Sequence, residues 1–209
     1  MANFKLPNSP TLWVMTGDSI TQGVLHTYGA RSWVEHVHER LRWQLDRLFD
    51  TVINSGMSGW GAQQVYEHYD HLIGRFNPQI VSLSFGTNDC LEGAAGMVRF
   101  DDSMRKLIRQ AQNQDATVII QTPVLVTNSA PPNRREYLAA YSQRLRELAA
   151  EFDCVLVDHE AFWKSKFGDS EPIAWMDDHT HPNAVGHTNI AQHLLESLGI
   201  GRLTQVHMQ

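Results

Sequence analysis

Three residues, Ser19, Asp178 and His181, have the types needed for acyl transfer. A serine hydroxyl attacks a carbonyl carbon when a base such as histidine removes its proton. The histidine needs an acceptor on its second ring nitrogen, which fixes the tautomer and stabilises the imidazolium. Asp178 precedes His181 by three residues, so one loop can present both side chains. The sequence therefore contains a candidate Ser-His-Asp catalytic triad.

The same chemistry needs donors for the oxyanion that forms when the serine attacks. Each preorganised donor is worth roughly 10²–10³ in rate. Asn88 offers a side-chain amide, Gly59 offers an unobstructed backbone N–H, and Ser19 can contribute its own backbone N–H. These three residues form the candidate oxyanion hole.

Short apolar runs alternate along the chain with longer segments of helical periodicity. The runs predict strands, and their near-continuous apolar character is typical of parallel strands covered on both faces. Predicted strands cover 11–17, 50–56, 78–86, 116–123 and 153–159, and predicted helices cover 31–48, 61–74, 101–113 and 135–152. A last helix is predicted to have Pro182 in its first turn and to end at Gly199. The pattern predicts a single α/β domain over residues 1–209, a three-layer α/β/α sandwich.

The predicted sheet explains how distant residues could meet. In a flavodoxin-like five-stranded parallel sheet of order 2-1-3-4-5, the chain reverses between strands one and three, and ligands bind in that crevice. Ser19 follows strand one, Gly59 follows strand two and Asn88 follows strand three. Two predicted loops, 90–100 and 124–134, lie at the same edge and are expected to contribute to the site.

Four polar blocks in this order resemble those of the SGNH hydrolase superfamily, also called GDSL esterases and lipases. The blocks read GDSIT, INSGMSG, FGTND and DDHTHPN, and the resemblance runs from about residue 12 to residue 198. Ile20 stands where the family's name has leucine. The resemblance implies that Ser19 is the nucleophile, His181 the general base and acid, and Asp178 its orienting partner. It also implies that Ser19, Gly59 and Asn88 form the oxyanion hole.

Several of these residues have simpler interpretations. Ser19 or Asp18 could cap a helix, and Asn88 could be a turn residue. Asp89 is expected to anchor its loop by hydrogen bonds to backbone. Three further residues are candidates for the substrate pocket: Trp60, Trp175 and Cys90. For the two tryptophans, packing is the alternative.

Composition limits the partners. Lys and Arg number 17 against 23 Asp and Glu, and the resulting charge of −6 disfavours nucleic acid and anionic membranes as partners. The predicted partner is a small-molecule ester substrate, and nothing in the sequence specifies an oligomeric state.

The start of the sequence contains no visible signal peptide, so a cytoplasmic location is predicted. Cys90 and Cys154 are expected to be reduced thiols. No cofactor is predicted, and the cluster around Asp178 and His181 is not expected to bind a metal.

The predicted activity is that of a serine esterase acting on short-chain acyl or carbohydrate O-acetyl esters. A thioesterase or lysophospholipase of the same family is the alternative within enzymes. A noncatalytic binding module on a flavodoxin-like sheet is the alternative from another class.

Overall fold

A computed structural model describes residues 3–203. It contains a five-stranded parallel sheet of order β2-β1-β3-β4-β5, as predicted. The strands are β1 (Leu12–Gly17), β2 (Thr51–Asn54), β3 (Ile80–Ser84), β4 (Thr117–Gln121) and β5 (Val155–Val157). The order places the chain reversal between β1 and β3, which pair from Trp13 with Ile80 to Gly17 with Ser84.

Helices cover both faces of the sheet. They are α1 (Ser19–Gln22), α2 (Trp33–Glu39), α3 (Ala62–Glu67), α4 (Tyr69–Leu72), α5 (Gly93–Asn113), α6 (Pro132–Glu151), α7 (His159–Phe167) and α8 (Ala184–Ser197). No helix within residues 3–203 has the length and apolar character needed to cross a bilayer.

Alternating strand residues supply two separate cores. Val14 of β1 belongs to the core shared with α3, α5 and α6, whereas Trp13 and Met15 belong to the core shared with α2 and α8. All three side chains are fully buried. Successive side chains of a strand point to opposite faces, so an apolar run without alternation is what a sheet buried on both sides requires. This confirms the predicted α/β/α sandwich.

The segment 90–100 is helical, so the prediction of a loop there is wrong. A 3₁₀ turn covers Asp89–Glu92, and α5 begins at Gly93 rather than at residue 101. Glycines disfavour helices, but Gly96 lies where a Cβ would come 2.7 Å from the Tyr141 hydroxyl of α6. Close packing of α5 on α6 therefore overrides the local propensity. The second predicted loop, 124–134, is also shortened, because α6 begins at Pro132.

Other predicted helices differ at their ends. The segment 31–48 forms α2 and then a π-helical turn (Arg40–Gln44), and its last residue, Leu48, lies beyond both and is half exposed. The segment 61–74 is divided at His68 into α3 and α4. Pro182 lies ahead of α8, whose N-cap is Asn183. Helix α7 has no counterpart among the predicted helices, because it lacks a clear apolar stripe. Its first residue, His159, lies within the predicted strand 153–159, whereas β5 ends at Val157.

Candidate active site

Ser19 lies directly beyond the carboxyl end of β1. Gly17 ends the strand where a Cβ would come 2.3 Å from Thr21 Oγ1 and 2.6 Å from the backbone oxygen of Ser84, so the turn into α1 needs glycine. Asp18 is the N-cap of α1, and its Oδ1 accepts a hydrogen bond from the backbone N–H of Ile20 at 2.9 Å. The capping role belongs to Asp18, which leaves the Ser19 hydroxyl available for another partner.

The second polar block is held against α1. Asn54 Nδ2 donates to the backbone oxygen of Thr21 at 2.8 Å, and Gln22 Oε1 accepts from the backbone N–H of Ser58 at 3.0 Å. Gly56 allows this approach, because a Cβ there would lie 2.4 Å from the backbone nitrogen of Gln22. Gly59 follows with a left-handed backbone (φ +79°), and its missing Cβ would face open space. It borders a cavity of about 410 Å³ that Asn88 also lines.

The third block is anchored by Asp89, as predicted. Its two carboxylate oxygens accept backbone hydrogen bonds from Gly86 at 2.9 Å and from Ala62 at 2.8 Å. Asn88 Nδ2 donates to the backbone oxygen of Trp60 at 3.0 Å. An amide nitrogen carries two hydrogens, so one donor remains for another acceptor. The block thus presents an oriented amide beside Gly59.

Arg134 connects the third block to the loop before α8, and sequence reasoning missed it. Its guanidinium donates to the backbone oxygen of Thr87 at 2.8 Å, to Asn88 Oδ1 at 3.1 Å and to Thr180 Oγ1 at 2.7 Å. The side chain is buried. A cationic donor on Oδ1 fixes the Asn88 amide and polarises it, which strengthens its N–H groups as donors. No signal in the sequence distinguishes Arg134 from its neighbour Arg135.

The loop before α8 carries the fourth block. An antiparallel bridge between Met176 and Pro182 closes it. Asp178 Oδ1 accepts backbone hydrogen bonds from Thr180 at 2.6 Å and from His181 at 2.7 Å, while its Oδ2 lies 2.8 Å from His181 Nδ1. His181 Nε2 lies 3.0 Å from Ser19 Oγ. The structure therefore brings Ser19, His181 and Asp178 into one hydrogen-bonded chain.

The ionisation states of Asp178 and His181 determine which atoms donate and which accept in these hydrogen bonds. Burial alone would raise the pKa of Asp178, but the backbone N–H groups of His181 and Thr180 and the His181 ring lower it to about 2. An ionised Asp178 can only accept, so Nδ1 of His181 carries the hydrogen and Nε2 of the neutral ring accepts a hydrogen bond from the Ser19 hydroxyl. Burial lowers the pKa of His181 below its ordinary value of 6.5, against the opposing effect of Asp178. The imidazole is therefore neutral at pH 7, with its Nε2 lone pair available.

The three pocket candidates differ in their surroundings. Cys90 is fully buried, with its Sγ 3.3 Å from the backbone oxygen of Thr87, so its prediction as a pocket residue is wrong. The Trp60 ring packs on His68, and the Trp175 ring packs edge-on against Trp163. Packing accounts for the position of both rings, and a role in substrate binding stays a prediction.

One cluster in this region has the residue types of a metal site. His26, Asp178 and His181 present ligand atoms within 4.8 Å of one another. However, the two imidazoles are stacked with centroids 3.8 Å apart and planes inclined by 4°. A ring nitrogen binds a metal in the plane of its ring at about 2.0–2.1 Å, and two nearly parallel planes share no such point. The cluster does not fit an ion shared by both rings.

Asp18 gives a prediction about stability. Burial raises its pKa to about 6 from 3.8, so folding favours the neutral acid, and this contribution is lost as the pH rises through 6. Asp18→Asn keeps the acceptor for Ile20 but never ionises. We expect the free energy of unfolding of the variant, relative to that of the natural protein, to increase by about 2–3 kcal/mol as the pH rises from 4 to 7. Urea unfolding at both pH values measures this, with the exposed Asp169→Asn as the control. A difference that does not change with pH would contradict the prediction.

Fold and site together define a class of protein. The chain is a doubly wound α/β protein with a Ser-His-Asp hydrogen-bonded chain at the carboxyl edge of its parallel sheet. It belongs to the GDSL-like Lipase/Acylhydrolase family, whose model matches residues 15–188.

Two curated relatives are similar in sequence. The acetylxylan esterase of Geobacillus stearothermophilus is 22% identical over 71% of this chain and 72% of its own length. The thioesterase 1/protease 1/lysophospholipase L1 of Escherichia coli K12 is 27% identical over 95% of this chain and 88% of its own.

The solved structure of Axe2, an acetylxylan esterase from Geobacillus stearothermophilus, has the same fold. It matches with a TM-score of 0.80 and 23% identity, covering 94% of this chain and 98% of the other. Three catalytic mutants of Axe2, also solved, replace a serine, an aspartate and a histidine by alanine. In that protein the aspartate precedes the histidine by three residues.

Proposed function

We propose that this protein hydrolyses carboxylic esters through an acyl-enzyme on Ser19. The observation that carries the proposal is the 3.0 Å contact from Ser19 Oγ to His181 Nε2, continued at 2.8 Å from His181 Nδ1 to Asp178. Ser19 Oγ bonds to the carbonyl carbon while its proton passes to Nε2. The imidazolium then protonates the leaving alcohol as the ester C–O bond breaks. Water, deprotonated by the same nitrogen, then bonds to the acyl carbon, the bond from that carbon to Ser19 Oγ breaks, and the imidazolium returns its proton to Oγ as the acid leaves.

The negative oxygen of the tetrahedral intermediate is assigned to the backbone N–H groups of Ser19 and Gly59 and to the Asn88 amide. Gly59 and Asn88 line the same cavity, which supports a common target for their donors. The left-handed backbone of Gly59 and the two hydrogen bonds of the Asn88 side chain, to the Trp60 backbone oxygen and from Arg134, hold these donors before substrate arrives. Donors that need no reorganisation are the ones that lower a barrier most.

Asn88→Ala tests the assignment of the oxyanion hole. Loss of one preorganised donor is expected to lower kcat for p-nitrophenyl acetate about 10²–10³-fold and to leave KM nearly unchanged, because the bond strengthens only as charge develops. Steady-state kinetics measure this. The control is Asn189→Ala, which removes a similar amide-to-carbonyl bond on the exposed face of α8. An unchanged kcat in Asn88→Ala would contradict the role.

The proposed substrates are esters of short acyl groups, with O-acetyl groups of carbohydrates first among them. Besides the apolar Leu91 and Phe100, the cavity beside Gly59 and Asn88 is lined by polar side chains, including Gln63, Gln64, Glu92 and Arg99. Such a lining suits a hydroxyl-rich alcohol better than a long acyl chain. Similarity to an acetylxylan esterase supports the same choice.

The second candidate is a thioesterase or lysophospholipase. Similarity to the Escherichia coli enzyme over 95% of this chain favours it. A series of p-nitrophenyl esters from acetate to palmitate separates the two candidates. The proposed specificity gives the highest kcat/KM with acetate or butyrate, whereas a maximum at octanoate or longer would favour the alternative.

A fluorophosphonate probe tests the enzyme class directly. It bonds covalently to an activated serine, so labelling should map to Ser19 and disappear in Ser19→Ala. A protein that takes up no probe and hydrolyses no ester would instead be a noncatalytic binder. Flavin absorbance near 450 nm in the purified protein would identify one form of that alternative.

A further inference from the structure

A second imidazole lies flat on the ring of His181. His26, in the segment after α1, has its ring centroid 3.8 Å from that of His181, with the two planes inclined by 4°. Its Nδ1 lies 2.8 Å from Asp177 Oδ2 and 3.9 Å from Asp178 Oδ2. His26 is therefore in contact with the candidate base but is not a member of the hydrogen-bonded chain that ends at Ser19.

The backbone on both sides of His26 adopts an uncommon conformation. Leu25 and Tyr28 adopt the left-handed conformation, with φ of 74° and 50°. Non-glycine residues in this region are strained and persist where surrounding contacts hold them. Asp177 provides such contacts, because its carboxylate bonds both to His26 and to the hydroxyl of Tyr28. The bond to the carboxylate raises the pKa of the Tyr28 phenol. Two bonds from one carboxylate thus attach this segment to the loop that carries His181.

We propose that His26, held by Asp177, is a positioning residue for His181. The stacked ring holds the His181 imidazole in the plane in which it reaches both Ser19 and Asp178. This inference rests on the proposed function, since it assigns His26 a part in the reaction of the same site.

The stack also affects the protonation of His181. His26 covers one face of the ring and withholds water from it, and a charge on His26 opposes a second charge on His181. The charged and titratable groups around the stacked pair come from the loop before α8, from α6, from α8 and from the segment after α1: Asp177, Asp178, Arg134, His187 and Tyr28. Burial lowers the pKa of His187 to about 4, so this neighbour adds no positive charge at neutral pH.

Two substitutions separate stacking from charge. His26→Ala removes both, and we expect kcat to fall about tenfold with KM nearly unchanged, the size typical of losing one aromatic pair. The acid limb of kcat/KM should move to higher pH, because His181 becomes more exposed and loses a like-charged neighbour. His26→Phe keeps the flat ring without the charge, so it should recover most of kcat and retain part of the pH shift.

The matched control is His71→Ala, an exposed histidine on α4, which should change neither kcat nor the pH profile. Unchanged kcat and acid limb in His26→Ala would overturn the proposal. Equal losses in His26→Ala and His26→Phe would also overturn it, because stacking would then not be the cause.

A titration of the His181 ring by NMR gives a readout that does not depend on turnover. The proposal expects its pKa to rise in His26→Ala relative to the unchanged protein. A shifted titration in a protein that hydrolyses no ester would refute the proposed function while supporting the contact between the two rings. A protein that hydrolyses esters, but in which His26→Ala shows neither a shifted titration nor a loss of kcat, would refute the positioning role alone.

Discussion

Ser19→Ala is expected to lower kcat for p-nitrophenyl acetate by about 10⁴-fold or more and to leave the fold intact. Alanine removes the atom that bonds to the carbonyl carbon, and any remaining hydrolysis must use water directly. The Ser19 hydroxyl contacts His181, and the N-cap of α1 is Asp18, so removal of the hydroxyl should cost the fold little. Steady-state kinetics measure the loss, and circular dichroism with thermal unfolding checks the fold.

The loss of kcat in Ser19→Ala should not add to the loss of kcat in His181→Ala. His181→Ala is expected to be about as slow as Ser19→Ala, and the double variant about as slow as either, since the two groups act as a unit. Ser165→Ala provides the control, because this serine on α7 is exposed and bonds within its own helix. Full turnover in Ser19→Ala would refute the proposed mechanism, and strictly additive losses would refute the coupling of the two residues.

Asp178→Asn is expected to lower kcat about 10³–10⁴-fold without changing the shape of the site. Asp178 Oδ1 already accepts from the backbone N–H groups of Thr180 and His181, so an asparagine keeps its oxygen there. Its Nδ2 would then replace Oδ2 opposite His181 Nδ1. Because Nδ2 is a donor, the ring must accept at Nδ1 and carry its hydrogen on Nε2. That nitrogen could no longer accept the Ser19 proton.

The measurement for Asp178→Asn is kcat together with fluorophosphonate labelling, which should slow in parallel because both need an activated Ser19. Asp102→Asn tests the loss of one carboxylate charge elsewhere, since Asp102 pairs with Lys106 on the exposed face of α5. Turnover at the rate of the natural protein in Asp178→Asn would show that the aspartate does not set the tautomer of His181.

Local sequence was a good guide to the sheet and a poorer guide to helix boundaries. The strands were found because parallel strands buried on both faces leave short apolar runs that stop at glycine or a polar residue. The start of α5 was missed because Gly93 and Gly96 are poor helix formers, and the close contact of Gly96 with Tyr141 comes from another helix. Helix boundaries depend on such contacts, which no window of sequence contains.

For the candidate site, the residue types and the edge of the sheet where they gather can be predicted without coordinates. Strand order brings the ends of β1, β2 and β3 together, so Ser19, Gly59 and Asn88 could be placed in one crevice from their positions after strands. The Asp-x-x-His spacing could be read in the same way, because it lies within one loop.

The side chains that support these groups could not be predicted in this way. Arg134 reaches Asn88 across 46 positions of sequence, and His26 reaches Asp177 across 151. Both contacts depend on how separate elements pack, and neither residue lies in a motif that marks it. A hydrogen bond or a ring stack requires atoms within about 3–4 Å, and sequence separation carries no information about such distances.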